Sequence, residues 1–155
     1  MPVIVIGADT AIGRAVMVAL SGSAAEVRAF VTNVDDAVSL KASGVKVAVG
    51  DVSDDSHVSG AAYRTFCAIL VSDAAVDARE RSFASDSQAV VSAWGRALDQ
   101  AGTTRAIWIG AEDLDPTTIR DAVEQFAIVD PTGRSLSATV TEVVDLESAT
   151  HLPDR

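Results

Sequence analysis

At 155 residues the chain has the size of one domain, and at that length folding buries roughly 68–70% of the extended-chain surface. Hydrophobic residues make up 48% and charged residues 22%, an ordinary globular balance that argues against wholesale disorder, collagen-like repetition and coiled coil. The net charge of −10 repels polyanions and weighs against nucleic acid and anionic membranes as partners.

Cys67 is the only cysteine, so no internal disulfide can form, which fits the reducing cytoplasm. The opening run Val3-Ile4-Val5-Ile6 has no basic segment before it and leads directly into Gly7, so it reads as a strand rather than a signal peptide. No segment approaches the roughly 20 apolar residues needed to span a bilayer.

Short β-branched runs then alternate with stretches of helical period, the pattern of a parallel sheet covered by helices on both faces. The expected fold is a single-domain, three-layer α/β structure, a Rossmann-like doubly wound parallel sheet. Val3–Ile6 is the first strand and Thr10–Leu20 the first helix, with Ile12, Ala15, Val16 and Ala19 on one face. Val27–Val31 is the second strand. Asp35 or Asp36 can cap a short second helix that ends near Gly44, and Val45–Val49 makes a third strand. A third helix fits Asp54–Tyr63. Cys67–Val71 reads as a fully buried fourth strand, and the polar stretch from Ser72 to about Phe83 as a loop crossing the sheet edge. Ser85–Gln100 is the longest helix, Arg105–Ile109 the fifth strand, Pro116–Gln125 a helix and Phe126–Val129 the sixth strand. Ala138–Val144 is expected to form a final hairpin or edge strand.

The segment from Gly7 to Gly13 joins the first strand to the first helix, where a dinucleotide-binding fold places its phosphate loop. Gly7 permits the tight turn, Gly13 allows close packing of helix on strand, and the free amides of the helix start face a pyrophosphate. This loop resembles the GATGxxG of the atypical short-chain dehydrogenase/reductases, in particular their NmrA-like branch. The similarity continues through Val27–Val31, through Gly44–Asp54, which resembles that family's GVEVVxGDLxD, through Ala101–Ile109, which resembles AGVKRxVxxS, and through Ile128–Gly133, similar to IxRPxG. The resemblance implies NAD or NADP as cofactor. Carried over onto this chain it implies contacts from Gly7, Asp9, Thr10, Ala11, Ile12 and Gly13, from Thr32 and Asn33 after the second strand, and from the Asp51-Val52 turn after the third.

Several residues depart from that pattern. Thr10 replaces the central glycine and is expected to occupy space a pyrophosphate needs. Asp9 is expected to cap the first helix, accepting the amides a phosphate would use, and repels a phosphate charge at 4 Å by roughly 1–4 kcal/mol. Thr32 and Asn33 are neither the acid that favours NAD nor the arginine that favours NADP. The YxxxK pair of classical members is missing: Tyr63 is the only tyrosine and Lys41 and Lys46 the only lysines. Gly110-Ala111 stand at the expected serine, Asp130 replaces the usual arginine before Pro131, and the family's further hundred or so residues of substrate lobe are not present in this sequence.

Other chemistry finds less support. His57 and His151, the only histidines, lie in polar contexts without metal-ligand spacing, so no metal is expected. Cys67 reads as a core thiol, and Glu112, Asp113 and Asp115 as a solvated loop that caps the following helix rather than as acid/base groups. Trp94 either packs on the sheet or faces a second chain. The combined expectation is a non-catalytic domain that binds NAD or NADP weakly or not at all, working through a homodimer or another protein. The alternative is an NAD(P)H-dependent oxidoreductase of the atypical short-chain type.

Overall fold

The computed structural model describes residues 1–23 and 25–152. In chain order the elements are β1 (Val3–Ile6), α1 (Ala11–Leu20), β2 (Val27–Val31), α2 (Val34–Ala42), β3 (Lys46–Val49), α3 (Asp55–Ala62), β4 (Cys67–Val71), α4 (Asp73–Val76), α5 (Ser87–Ala101), β5 (Arg105–Ile109), α6 (Thr117–Ala122), β6 (Gln125–Val129) and α7 (Leu136–Ser148). The six strands form one sheet in the order β3-β2-β1-β4-β5-β6, all parallel. This is the doubly wound order of dinucleotide-binding folds, whose crevice opens at the C-terminal ends of the strands where the order reverses, here between β1 and β4.

A parallel sheet covered on both faces needs apolar side chains on both, which is why β1, β4 and, after Arg105, β5 are continuous apolar runs, buried throughout. Ile4, Ile6, Phe30, Leu70 and Trp108 pack with Val58 of α3, with α5 and with Ile119 of α6. Val3, Val5, Val31, Ile69 and Ile107 pack with α1, with Ala37 of α2 and with Val140 and Val143 of α7. Trp94 is fully buried in the first of these cores, edge-on to Trp108, and its indole N–H donates to the Val52 carbonyl at 2.9 Å. It packs inside this chain, so it offers no anchor to a second one.

The C-terminal expectation is overturned: the segment holding Ala138–Val144 is helix, not strand. Ser135 caps α7 by accepting the Ala138 amide, and Thr139, Val140 and Val143 fall on one buried face at helical spacing. The packing of this face on β5, β6 and α1 outweighs the strand preference of the individual β-branched residues. The same helix explains why Arg105, at the start of β5, is fully buried. Its guanidinium donates to the carbonyls of Leu146, Glu147 and Ala149 at 2.7–2.9 Å, satisfying the open C-terminal end of α7, and to Gln125 Oε1 at 3.0 and 2.6 Å.

Two smaller expectations also change. Asn33, not Asp35 or Asp36, caps α2, its side chain accepting the amides of both aspartates. Asp35 and Asp36 sit in the first turn, where the helix dipole favours them, and Asp36 pairs with Arg14 at 3.0 Å. The stretch after β4 begins with the short helix α4 and then folds back over the strand ends instead of leaving across the sheet edge.

Candidate functional site: the crevice and its strap

The crevice is walled on one side by the loop after β1. Gly7 has φ +87°, and a Cβ there would lie 2.9 Å from Ala74 Cβ on α4, so both the turn and the close approach of α4 require glycine. A Cβ on Gly13 would meet the Gly7 carbonyl oxygen at 2.0 Å, which is the close packing of helix against strand expected of the last glycine in the motif.

Thr10 does not project into the crevice as its sequence position suggests. It is the N-cap of α1: its hydroxyl donates to the Gly7 carbonyl at 2.7 Å and accepts the Gly13 amide at 2.9 Å, leaving the residue only 6% exposed. The Arg14 amide is taken by the Thr10 carbonyl. The amides of Ala11 and Ile12 therefore remain at the open end of the helix, the position from which such groups hold anions.

Asp9 is not a helix cap. Its carboxylate crosses to the end of β2, where Oδ2 accepts the amides of Thr32 at 2.8 Å and Asn33 at 3.1 Å. Oδ1 receives Arg79 Nη1 at 2.8 Å, and both side chains are nearly buried. Thr10 already serves the cap, so Asp9 is free to satisfy the amides that β2 leaves unpaired where it runs out of the sheet.

Arg79 lies on a strap, residues 77–83, that closes over this end of β2. It holds Asp77 through two bonds of 2.7 Å and reaches Thr32 Oγ1 at 3.3 Å. Burial opposes its charge, but hydrogen bonds to Asp77 and Asp9 hold the guanidinium pKa above its ordinary value. Arg81 fastens the strap to the Ala74 and Arg79 carbonyls. At the end of β3, Asp51 Oδ2 accepts the Ser82 amide at 2.6 Å, Oδ1 accepts from Ser53, and the Ser53 hydroxyl accepts the Phe83 amide at 3.0 Å. Burial alone raises the Asp51 pKa, yet the bonds from Ser53 and Ser82 bring it below the usual carboxylate range. Val52 is fully buried and its carbonyl is committed to Trp94, so its side chain belongs to the core. The strap thus covers the ends of β1, β2 and β3. The one sequence signal for it is the alternation Asp77-Ala78-Arg79-Glu80-Arg81, which places two cations in an acidic chain.

On the β4 side, burial raises the pKa of Asp73, and Asp77 and Asp113 raise it further. Asp115 accepts the amide and hydroxyl of Thr117 in the turn that leads into α6, whose N-cap is Pro116 and not an acid, and Asp130 accepts the Thr132 amide in a turn after β6. Tyr63 ends α3 beside Arg28, at the opposite end of the sheet from the crevice, and Lys46 pairs with Glu26 at that same end. Cys67 is buried at the start of β4, where burial pushes its thiol pKa far up. His57 packs edge-on against Phe30, and a Cβ on Gly50 would meet its ring. Among the described residues no three side chains converge as metal ligands, and no helix is long and apolar enough to cross a membrane.

No family model matches the sequence, and no curated protein matches it. Solved structures do match the fold. Triphenylmethane reductase of Citrobacter sp., complexed with NADP(H), aligns at a TM-score of 0.68 and 19% identity over 84% of this chain and 49% of its own. ChuY, an anaerobilin reductase from Escherichia coli O157:H7, aligns at 0.74 and 16% identity over 97% of this chain and 92% of its own. The fold is theirs. A nucleoside-diphosphate-sugar epimerase from Staphylococcus aureus aligns at 0.62 and 15% identity over 84% of this chain and 50% of its own. The resemblance drawn from the glycine loop therefore holds at the level of fold. The chain spans about half the length of the triphenylmethane reductase but 92% of ChuY, so proteins of this fold differ in length.

Proposed function

We propose that the chain binds a nicotinamide dinucleotide along the crevice between β1 and β4 and acts as an NAD(P)H-dependent reductase of the atypical short-chain type. One observation carries the reading: the Thr10 side chain is consumed inside the loop, so the Ala11 and Ile12 amides are left for a pyrophosphate despite the missing glycine. The alignment with ChuY over nearly the whole of both chains supports it, because a protein of this extent carries a reductase's name.

The bound nicotinamide would supply hydride. Gly7 and Gly13 hold the backbone close enough for the phosphates, and α4, packed on Gly7, forms the opposite wall. With Tyr63 at the far end of the sheet, no tyrosine serves the crevice. Asp73, whose pKa is raised by burial, Asp77 and Asp113, is the group on this wall best suited to hold a proton; solvent is the alternative source. The strap over the adenosine end has to yield for the cofactor to enter.

The missing tyrosine and lysine favour a second reading, a domain that binds the dinucleotide without transferring hydride and changes a protein contact instead. Titration of the full chain with NADH and NADPH, followed by nicotinamide fluorescence and thermal shift, tests what both readings share. Saturable binding is expected, with about 2.7 kcal/mol of stabilisation at 100 times the dissociation constant. No binding at millimolar concentrations would sink both. Oxidation of the bound cofactor by a quinone, enone or aldehyde would separate the reductase from the non-catalytic domain.

A further inference from the structure

The geometry points to Asp9 as the ribose-reading carboxylate of this crevice, selecting NAD(H) over NADP(H); the inference rests on the dinucleotide reading above and deepens it. In a dinucleotide fold the adenosine ribose lies at the C-terminal end of the second strand. An acid there accepts from the 2′-hydroxyl, whereas an arginine accommodates a 2′-phosphate. β2 of this chain ends in Thr32 and Asn33, which carry neither signal. The tertiary structure brings the acid from another segment: Asp9, after β1, sets its carboxylate on the Thr32 and Asn33 amides at 2.8 and 3.1 Å.

Three features make this carboxylate a discriminator and not a surface charge. It is fixed, because two backbone amides hold Oδ2 and the next residue, Thr10, is locked as the helix cap. It consumes the amides that would otherwise serve a 2′-phosphate. It also repels such a group, which carries about −1.5 to −2 charges at neutral pH, whereas a neutral 2′-hydroxyl can donate to it.

Each neighbouring cation has a carboxylate partner: Arg79 is shared between Asp9 and Asp77, Arg81 pairs with Asp77 at 2.8 Å, and Arg14, whose charge also feels Asp9, is engaged by Asp36 at 3.0 Å. Arg79 now covers the Asp9 carboxylate. It can give up that bond to a ribose hydroxyl and remain paired through its two 2.7 Å bonds to Asp77.

The test is a titration of the full-length chain with NADH and NADPH at one fixed ionic strength, on the native chain and on Asp9→Asn. The amide retains an acceptor oxygen for the two backbone N–H groups and removes the charge. NADH is expected to bind the native protein on the order of tenfold or more tighter than NADPH, and Asp9→Asn to shrink that ratio by strengthening NADPH. Equal affinities, a preference for NADPH, or a ratio unchanged in a folded Asp9→Asn would overturn the assignment of Asp9 while leaving dinucleotide binding intact. Binding of neither dinucleotide to either protein would overturn the assignment and the function proposed above together. If Asp9→Asn does not fold, the native ratio decides alone, and Arg79→Gln, which keeps the Asp9 charge, should retain the preference for NADH.

Discussion

Two arginines are withdrawn from solvent at opposite ends of the same sheet, and different chemistry holds each. Arg105, at the start of β5, donates to three carbonyls at the end of α7 and to Gln125, all neutral partners built into the fold. Arg79, over the strand ends at the crevice, donates to two carboxylates, one on the loop after β1 and one on its own strap. Helix-end carbonyls cannot be exchanged without unravelling the helix, so Arg105 belongs to the cooperative core. Carboxylate partners can be protonated or replaced by a ligand, so Arg79 closes a region that is able to open.

Arg105→Met should give the largest effect, because it leaves several buried carbonyls and the Gln125 side chain without donors. A loss of about 3 kcal/mol or more is expected in urea denaturation, lowering Tm by roughly 6–12 °C. A loss under about 1 kcal/mol would mean that Arg105 is no more structural than a surface residue.

Arg79→Met should cost less, about 1–2 kcal/mol at pH 7, since Asp9 keeps its two backbone donors. The distinguishing result is its dependence on pH. Burial raises the Asp77 pKa, but the bonds from Arg79 outweigh it and leave the carboxyl below the usual range. A carboxyl whose folded pKa is lowered contributes stability above its unfolded pKa of about 3.9, and that contribution is lost as pH falls through the lower folded value. Native and Arg79→Met stabilities should therefore differ at neutral pH and converge in acid. The gap for Arg105→Met, whose partners are neutral, should persist wherever both proteins fold. Parallel pH profiles for the two variants would break the contrast.

Asp73→Asn should give the smallest effect and the opposite sign. Its folded pKa is raised, chiefly by burial and then by Asp77 and Asp113, so the ionised carboxylate opposes folding once pH exceeds that value. A small rise in Tm at pH 7 that fades toward pH 4 is expected. A fall in Tm at pH 7 would mean that Asp73 makes a favourable contact as an anion.

Much of the fold was legible in residue patterns. The central strands were readable because a parallel sheet buried on both faces demands apolar runs, and β1, β4 and residues 106–109 of β5 supply them, while the edge strands β3 and β6 were marked by short β-branched or aromatic runs. α7 was misread because Val140, Val143 and Val144 favour strand locally, while the face they share packs on a sheet formed by residues far earlier in the chain. In the crevice, the turn at Gly7 and the close approach at Gly13 follow from the absence of a Cβ and were readable from the motif. The directions taken by the Thr10 and Asp9 side chains were not. Adjacent residues compete for the same helix amides, and only the position of β2 decides that Thr10 caps while Asp9 crosses to Thr32 and Asn33.

The sequence by itself determined a doubly wound sheet with a glycine turn at its switch point, because strand burial and glycine stereochemistry are local properties of the residues that carry them. The tertiary structure alone decided what stands at the adenosine end of the crevice. A carboxylate after β1, an arginine 70 residues later in the chain and the amides that end β2 meet there only because the strands lie side by side, and no local spacing records that meeting.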